Sequence, residues 1–215
     1  MSLCAIIPIK PLKLGKSRLS DILSEDKRIR LNKILLTSTL NILSGVPQID
    51  RLVVVSFDSE ALMIARGFGA VTVLESQKTN INSALQKASI VAKVLNFEKS
   101  LIIPADLPFL NAEDIIKIIN IAKNPPEIVI TPDLRENGTN ILYINPIGAI
   151  KYKFGNGSFE KHLEQARRKN IRIKIFDCEK LAFDLDLPND WNFLFSTKIS
   201  KNNHIIDNIV QEVGI

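Results

Sequence analysis

The sequence predicts an α/β fold, a single domain built on a mixed, mostly parallel sheet with helices on both faces. Three observations predict it. Short β-branched runs alternate with longer stretches of helical period, the rhythm of strand–crossover–strand units in a sheet covered on both sides. After Glu127 this rhythm breaks into a less regular run of strand-like segments, which predicts a partly antiparallel extension of the same sheet. The 215 residues show no internal repeat and no linker rich in Gly, Ser or Pro, and that length suits one large domain.

The elements follow in order. Residues 3–9 read as a buried strand, and a polar, basic loop follows at 10–18. Ile29, Leu31, Ile34, Leu35, Ser38 and Ile42 fall near helical spacing within 25–44, with Gly45 as the stop. A strand at 51–56 (LVVV at its centre), a short helix at 59–66 ended by Gly67 and Gly69, and a strand at 70–74 come next. Residues 80–95 carry helical period again, and 101–104 is a short buried strand. Asn111 is placed to cap a helix with Glu113 and Asp114 in its first turn. Beyond it, 128–131, 140–144 and 171–176 read as strands, with an amphipathic helix at 159–169. The domain is thus expected over 1–197. Residues 198–215 form a tail, polar and then amphipathic, that either folds as a helix or frays.

Composition narrows the function classes. The net charge is +5 and the pI about 9.2, which favours anionic partners such as nucleotides or phosphorylated metabolites. The basic residues are spread out, with modest clusters at 10–18 and 167–174, and no stacking aromatics interleave with them. A nucleic-acid partner is therefore not expected. Cys4 and Cys178 are the only cysteines, too few for a disulfide scaffold or a cysteine-built zinc site, and are expected as small buried residues in neighbouring strands. Two histidines, His162 and His204, rule out a histidine-rich metal cluster. No stretch approaches the ~18 apolar residues of a membrane span. No basic segment or cleavage site marks a leader. The expectation is a cytoplasmic protein with no membrane partner.

In open α/β sheets ligands bind at the carboxyl ends of the strands, and several chemically informative residues fall just after strands. The segment IIPIKPLKLGKSRLS carries Lys10, Lys13, Lys16 and Arg18 within nine residues, with Gly15 just before Lys16. It is neither a Walker A loop nor GxGxxG. A strand, a basic loop and a helix beginning near Ser17 would still suit a triphosphate, through cationic side chains and free N–H groups at the helix start. The alternative is a solvated basic turn. In LIIPADLPFL, Asp106 follows a buried strand between Pro104 and Pro108, a position suited to a hard cation such as Mg²⁺; a turn or helix cap is the plainer reading. In AFDLDLPNDW, Asp184 and Asp186 stand two residues apart, so in extended backbone both face one side. The alternative there is a solvated edge before a Pro-started helix. Two acidic sites and a basic loop together are the parts of metal-assisted phosphoryl chemistry.

The run of motifs IPIKPLKLGKSRL, INSAL, PADLPFL, NGTN, FGNGSFEKH and FDLDLP resembles the 2-phospho-L-lactate guanylyltransferase family of coenzyme F420 biosynthesis, some members of which use phosphoenolpyruvate. The resemblance spans about residues 3–195; NGTN and FGNGSF are its most specific parts. It implies a Rossmann-like, nucleotide-diphospho-sugar transferase-like sheet. It also implies that Lys10, Lys16 and Arg18 hold the GTP phosphates, with Lys16, Arg18 and Asp106 as the catalytic groups. Asp106, Asp184 and Asp186 would bind Mg²⁺, Asn82 would contact the base, and Thr139, Gly155 and Ser158 would hold the phosphorylated acid. The residues read alone agree in part. Gly155 and Gly157 permit close backbone approach to an anion, and Ser158 stands at the start of the 159–169 helix, although a glycine turn with a Ser cap has the same look. His162, one turn into that helix, is either a ligand contact or a surface residue. Two departures from the family pattern stand out. Asn137 replaces a usual glycine before GTN, and the segment around INSAL lacks a usual glycine and has Ile81 in place of Leu. They bear on acceptor and base choice rather than on reaction class.

The expected partners are therefore GTP and a small phosphorylated acid (phospholactate, phosphoenolpyruvate or 3-phosphoglycerate), with Mg²⁺ as cofactor and a homodimer left open. Rival readings are a molybdopterin guanylyltransferase, a nucleotide-sugar pyrophosphorylase and a catalytically inactive nucleotide-binding module.

Overall fold

The computed structural model describes residues 2–76, 80–197 and 203–214. Its centre is a seven-stranded sheet in the order β3-β2-β1-β4-β6-β5-β7. The strands are β1 (Leu3–Pro8), β2 (Arg51–Ser56), β3 (Val71–Leu74), β4 (Lys99–Ile102), β5 (Glu127–Pro132), β6 (Thr139–Asn145) and β7 (Arg172–Ile175). β1 pairs in parallel with β2 and β4, β2 with β3, and β5 with β7. Only β6 runs the other way, antiparallel to both β4 and β5. The break in rhythm after Glu127 corresponds to this reversal. It brings the start of β6, rather than its end, to the edge where the parallel strands finish.

Alternation along the strands divides the interior into two layers. Ala5, Ile7, Val54, Leu101 and Tyr143 point to one face, against α1 (Glu25–Ser44), α2 (Ser59–Gly67), α4 (Ala112–Ile121) and α6 (Glu179–Ala182). Cys4, Ile6, Val53, Val55 and Leu142 point to the other, against α3 (Ile81–Val94) and α5 (Ser158–Arg168). α1 has two apolar sides. Leu36, Leu40 and Leu43 cover the sheet, while Leu31 and Leu35 join a third cluster with α7 (Pro188–Ser196) and α8 (His204–Ile209). Of the tail expected over 198–215, residues 198–202 and 215 lie outside the described residues. The remainder, α8 and a π-helical turn at Val210–Gly214, buries Ile205, Ile206, Ile209 and Val213 in that cluster. Among the described residues no helix is long and apolar enough to cross a membrane.

Local chemistry fixes the helix ends. Asp58 and Asn111 accept backbone N–H bonds at the starts of α2 and α4, satisfying donors that no helix can satisfy itself. α5 carries Glu160 in its first turn and Arg167 and Arg168 in its last, each favourable for the helix dipole. Two expectations need correction. No α-helix begins at Ser17. Ser17–Leu19 is one 3-10 turn, and α1 starts at Glu25 behind its Ser24 cap. Cys178 is half-buried at the start of α6 rather than in a strand; only Cys4 is a buried strand residue, its thiol pushed up to about 12 by burial.

Candidate active site

A cleft of about 420 Å³ opens at the carboxyl edge of the sheet. Its walls lie at and past the strand ends: Pro8 and Ile9 at the end of β1, Phe57 after β2, Glu75 after β3, and Pro104, Ala105 and Asp106 after β4. Lys10, Lys16 and Asp186 complete the charged side, while Asn80, Ile81 and Ala84, at the start of α3, form part of the other wall. Glu75, Phe57 and Asn80 were not among the sequence candidates. The signal was present, since Phe57 and Glu75 each stand one residue past a strand, the rule that singled out Asp106.

The basic loop is tied down by hydrogen bonds with α1 and with the cap of α2. Leu12 N–H donates to Asp58 Oδ2 (2.7 Å), and Asn32 Nδ2 donates to Leu12 O (2.8 Å). A Cβ at Gly15 would lie 2.5 Å from Asn32 Nδ2, so a larger residue there would have to displace the amide that holds Leu12. Lys16 follows with φ +56°, which turns its side chain inward; that side chain is 6% exposed and reaches Asp106 Oδ2 at 2.9 Å. Arg18, 67% exposed, reaches Asp186 Oδ2 at 2.9 Å. Lys10 is exposed on the cleft rim.

The aspartates are placed from behind. Phe183 and Leu185 bury themselves in the third cluster, Phe183 between Phe109 (5.2 Å) and Phe193 (5.1 Å). In this extended segment Asp184 and Asp186 alternate with them. Leu185 N–H donates to Asp106 O (3.1 Å), joining the two acidic segments, and Asp190 Oδ2 accepts from Asp186 N–H (3.0 Å) and Leu187 N–H (2.6 Å). Burial pushes the Asp184 carboxyl up to about 6; the neighbouring Asp106 charge adds to the rise and Lys16 opposes it. Among the described residues no three His, Cys, Asp or Glu side chains are gathered as a ready-made metal cage. Asp106 and Asp186 are each held instead by a cation of the basic loop.

Thr139 opens β6, paired with Pro132 of β5. Ile102 pairs with Leu142, so the chain leaving β4 toward Asp106 runs toward Thr139. Residues 133–138 connect β5 to β6. Asp133 Oδ1 accepts from Arg135 and Asn137 N–H groups, and the missing Cβ of Gly138 leaves room for the Asp133 carboxylate, which would otherwise lie 2.6 Å away. Asn137 then joins this loop to the next. Its Oδ1 accepts from Gly157 N–H (3.2 Å), its Nδ2 donates to Asn156 Oδ1 (2.8 Å), and its carbonyl accepts from Phe159 N–H. Asn140 Nδ2 donates to Leu181 O and Ala182 O, anchoring the segment that leads to Asp184. The NGTN motif therefore holds both neighbouring motifs. Asn137 and Asn140 were missed as site residues, because their partners lie far along the chain.

Gly155 is exposed with φ +113°, and Gly157 has φ +68°. The backbone at the start of α5 is less open than expected. Gly157 N–H is taken by Asn137, Ser158 N–H by Gly155 O and Phe159 N–H by Asn137 O. What remains is the Ser158 hydroxyl, buried and without a hydrogen-bond partner among the described residues. Asn82 is corrected too. Its Oδ1 accepts from Phe154 N–H (2.8 Å) and its Nδ2 donates to Phe154 O (3.1 Å), so its amide clasps the chain before α5 and does not line the cleft. His162, expected as a ligand contact or a surface residue, is completely buried, and burial pulls its imidazole down to about 4.

The fold and this edge define a nucleotidyltransferase-type α/β protein. A nucleotide-diphospho-sugar transferase, so described, from Desulfovibrio desulfuricans superposes with TM-score 0.77 at 15% identity, covering 98% of this chain and 95% of that one. A cytidylyltransferase from Leptospira borgpetersenii gives 0.61 at 13% identity, covering 98% and 94%. The chain belongs to the family described as guanylyl transferase CofC like, which it matches over residues 3–206. It is 36% identical over 190 residues to the phosphoenolpyruvate guanylyltransferase of Rubrobacter xylanophilus, covering 88% of this chain and 92% of that one. To the 2-phospho-L-lactate guanylyltransferase of Methanocaldococcus jannaschii it is 31% identical over 210 residues, covering 98% and 88%.

Proposed function

We propose that this protein transfers GMP from GTP to the phosphate of a small phosphorylated acid, 2-phospho-L-lactate or phosphoenolpyruvate, and releases pyrophosphate. The resemblance to the coenzyme F420 enzymes supports a place in that biosynthesis, and substrates such as GTP and a phosphorylated acid support a cytoplasmic location. One observation carries the reading. At the cleft mouth the cations Lys16 and Arg18 lie in contact with the carboxylates Asp106 and Asp186. These are the two charge types that a triphosphate and its counter-cation require.

The chemistry needs no general base. A phosphate monoester with a second pKa of ~6 is mostly dianionic at neutral pH. One of its oxygens attacks the α-phosphorus of GTP in line; the new P–O bond forms as the bond to the bridging oxygen of pyrophosphate breaks. The residues act by positioning and by neutralising charge. Lys10, Lys16 and Arg18 hold the triphosphate, with Lys16 and Arg18 facing the departing pyrophosphate. Thr139, Gly155 and the unpaired Ser158 hydroxyl receive the acceptor.

The donor types suit Mg²⁺, with the three carboxylates to be drawn together around it by phosphate oxygens, since among the described residues they are not gathered as a cage on their own. Asp106, Asp184 and Asp186 offer hard oxygens on two adjoining segments, joined by the Leu185 N–H bond to Asp106 O. These three would hold the ion, which would supply charge neutralisation at phosphate oxygens.

The test is a pyrophosphate-release assay with Mg²⁺ that crosses four nucleoside triphosphates with phospholactate, phosphoenolpyruvate and 3-phosphoglycerate. Release is expected with GTP and one of the first two acids. No release from any pair would overturn the reading, and equal turnover of all four triphosphates would remove the guanine assignment alone.

A further inference from the structure

His162 is the one buried histidine of the chain, and the mechanism above does not use it. Its ring lies between two hydrogen bonds. Nε2 is 3.0 Å from the backbone nitrogen of Lys153, and Nδ1 is 3.0 Å from Thr139 Oγ1. A backbone N–H can only donate, so Nε2 must present its lone pair. A neutral imidazole has one bare nitrogen and one N–H. The proton therefore sits on Nδ1, and Nδ1–H donates to the threonine oxygen.

The ring has little freedom to do otherwise. Phe154 meets it edge-on, with centroids 5.1 Å apart at 67°, and Asn82 clasps the backbone of Phe154 from the first turn of α3. The complete burial that favours the neutral ring keeps this arrangement in place at ordinary pH.

The consequence falls on Thr139, which is 8% exposed at the sheet edge. Because its oxygen accepts from the ring, its own hydrogen cannot be engaged there. We infer that His162 is a positioning residue for the acceptor subsite, turning the Thr139 hydroxyl into a donor toward an anionic oxygen of the bound acid. This rests on the reading of Thr139 as an acceptor contact. The arrangement favours ligands that bring a phosphate or carboxylate oxygen to Thr139 and disfavours those that bring a donor. It also assigns a purpose to Asn82, which steadies the ring through Phe154.

The experiment compares steady-state kinetics, with GTP and with phosphoenolpyruvate or 2-phospho-L-lactate, for three variants and one double variant. Thr139→Val removes the hydroxyl. His162→Gln keeps an amide near the Nε2 position but loses the donor to Thr139, whereas His162→Asn keeps a donor near Nδ1. Thr139→Val and His162→Gln should each raise the acceptor KM about tenfold, the effect of losing one charge-assisted hydrogen bond, with the GTP KM nearly unchanged. His162→Asn should recover most of that loss. His162→Gln should add nothing further in the Thr139→Val background, as expected if it acts through that hydroxyl alone.

Equal effects on both substrates, or full additivity with Thr139→Val, would make His162 a packing residue and overturn the inference. If Thr139→Val raises the acceptor KM and His162→Gln does not, the inference fails while the guanylyl-transfer reading stands. If Thr139→Val itself has no effect, both the acceptor assignment and the inference fall. Nitrogen NMR of the wild-type protein, with His204→Gln to assign the two rings, covers the case of a variant that does not fold. At neutral pH His162 should show a protonated Nδ1 and a bare Nε2, and the opposite tautomer would overturn the inference by itself.

Discussion

The proposed nucleotide and acceptor regions at the carboxyl edge of the sheet are built on different principles. On the nucleotide side, Arg18 and Asp186 are exposed ions that hold each other across the loop. Such pairs contribute ~0–1 kcal/mol in water, so a charged ligand displaces them at little cost. On the acceptor side, Asn137, Asn82, Thr139 and His162 are joined by neutral hydrogen bonds, the last pair buried. Removing one partner of the buried Thr139–His162 pair leaves a buried group unsatisfied, at ~1–3 kcal/mol. The first half is therefore made to exchange its partners, and the second to keep them. Changes to the exposed Arg18–Asp186 pair should cost activity with little loss of stability, whereas breaking the Lys16–Asp106 pair, whose lysine is buried, or the Thr139–His162 pair should cost both.

The largest effect tests the charged half. Asp186→Asn should lower kcat/KM by about a hundredfold or more, as for loss of a group that holds a catalytic ion, and leave the Tm nearly unmoved. A near wild-type rate across a magnesium titration would show that Asp186 is a surface group. The neutral half carries a pH signature instead. His162 has a folded pKa of about 4 against 6.5 unfolded, so between those values the unfolded chain binds the extra proton. Its contribution to stability is present above about pH 6.5 and is lost as the pH falls toward 4, by about 3 kcal/mol in all. Urea denaturation at pH 7 and pH 4 should show that loss in the wild type, and a correspondingly smaller one in His162→Gln. An identical acid loss in both would mean that the ring is not buried neutral.

Ser158→Ala is the exception to the pattern. Because its hydroxyl is buried without a partner, removing it should leave the Tm unchanged or slightly higher while the acceptor KM rises about tenfold. A Tm drop of several degrees would show that the hydroxyl has a structural partner, and an equal rise in the GTP KM would sink its assignment to the acceptor. The smallest effect is expected for Asn137→Gly, which places the usual family residue before GTN. It removes two side-chain bonds, to Gly157 and Asn156, and should cost about 1 kcal/mol of unfolding free energy with kcat preserved. A loss of kcat larger than the loss of stability would show that the clamp also aligns the reaction.

Most of the sheet was legible because its signals are local. The run around LVVV, the Asn111 cap and the period of 80–95 each declare themselves within a few residues. The charged half was legible for a related reason, since a charge just past a buried strand has a predictable place in this architecture. The first loop was misread as a helix start. Its shape depends on Asp58 and Asn32, which hold Leu12 from 46 and 20 residues away. The neutral half was misread in the same way. Asn82 finds Phe154 72 residues on, and His162 finds Thr139 23 residues back. An amide that fully satisfies a remote backbone looks, in sequence, like one awaiting a base.

The reversal of β6 also bears on how such a site can be rebuilt. Because β5 and β6 are antiparallel neighbours, a single hairpin connection, residues 133–138, carries the chain across the functional edge. It needs no crossover helix, and its ends are fixed by the two strand termini. This makes it a natural cassette. A transplanted connection of equal length would change the surroundings of Thr139 while leaving the loops on the other strands untouched. It would have to retain an amide that reaches Gly157 and a threonine at the first position of β6.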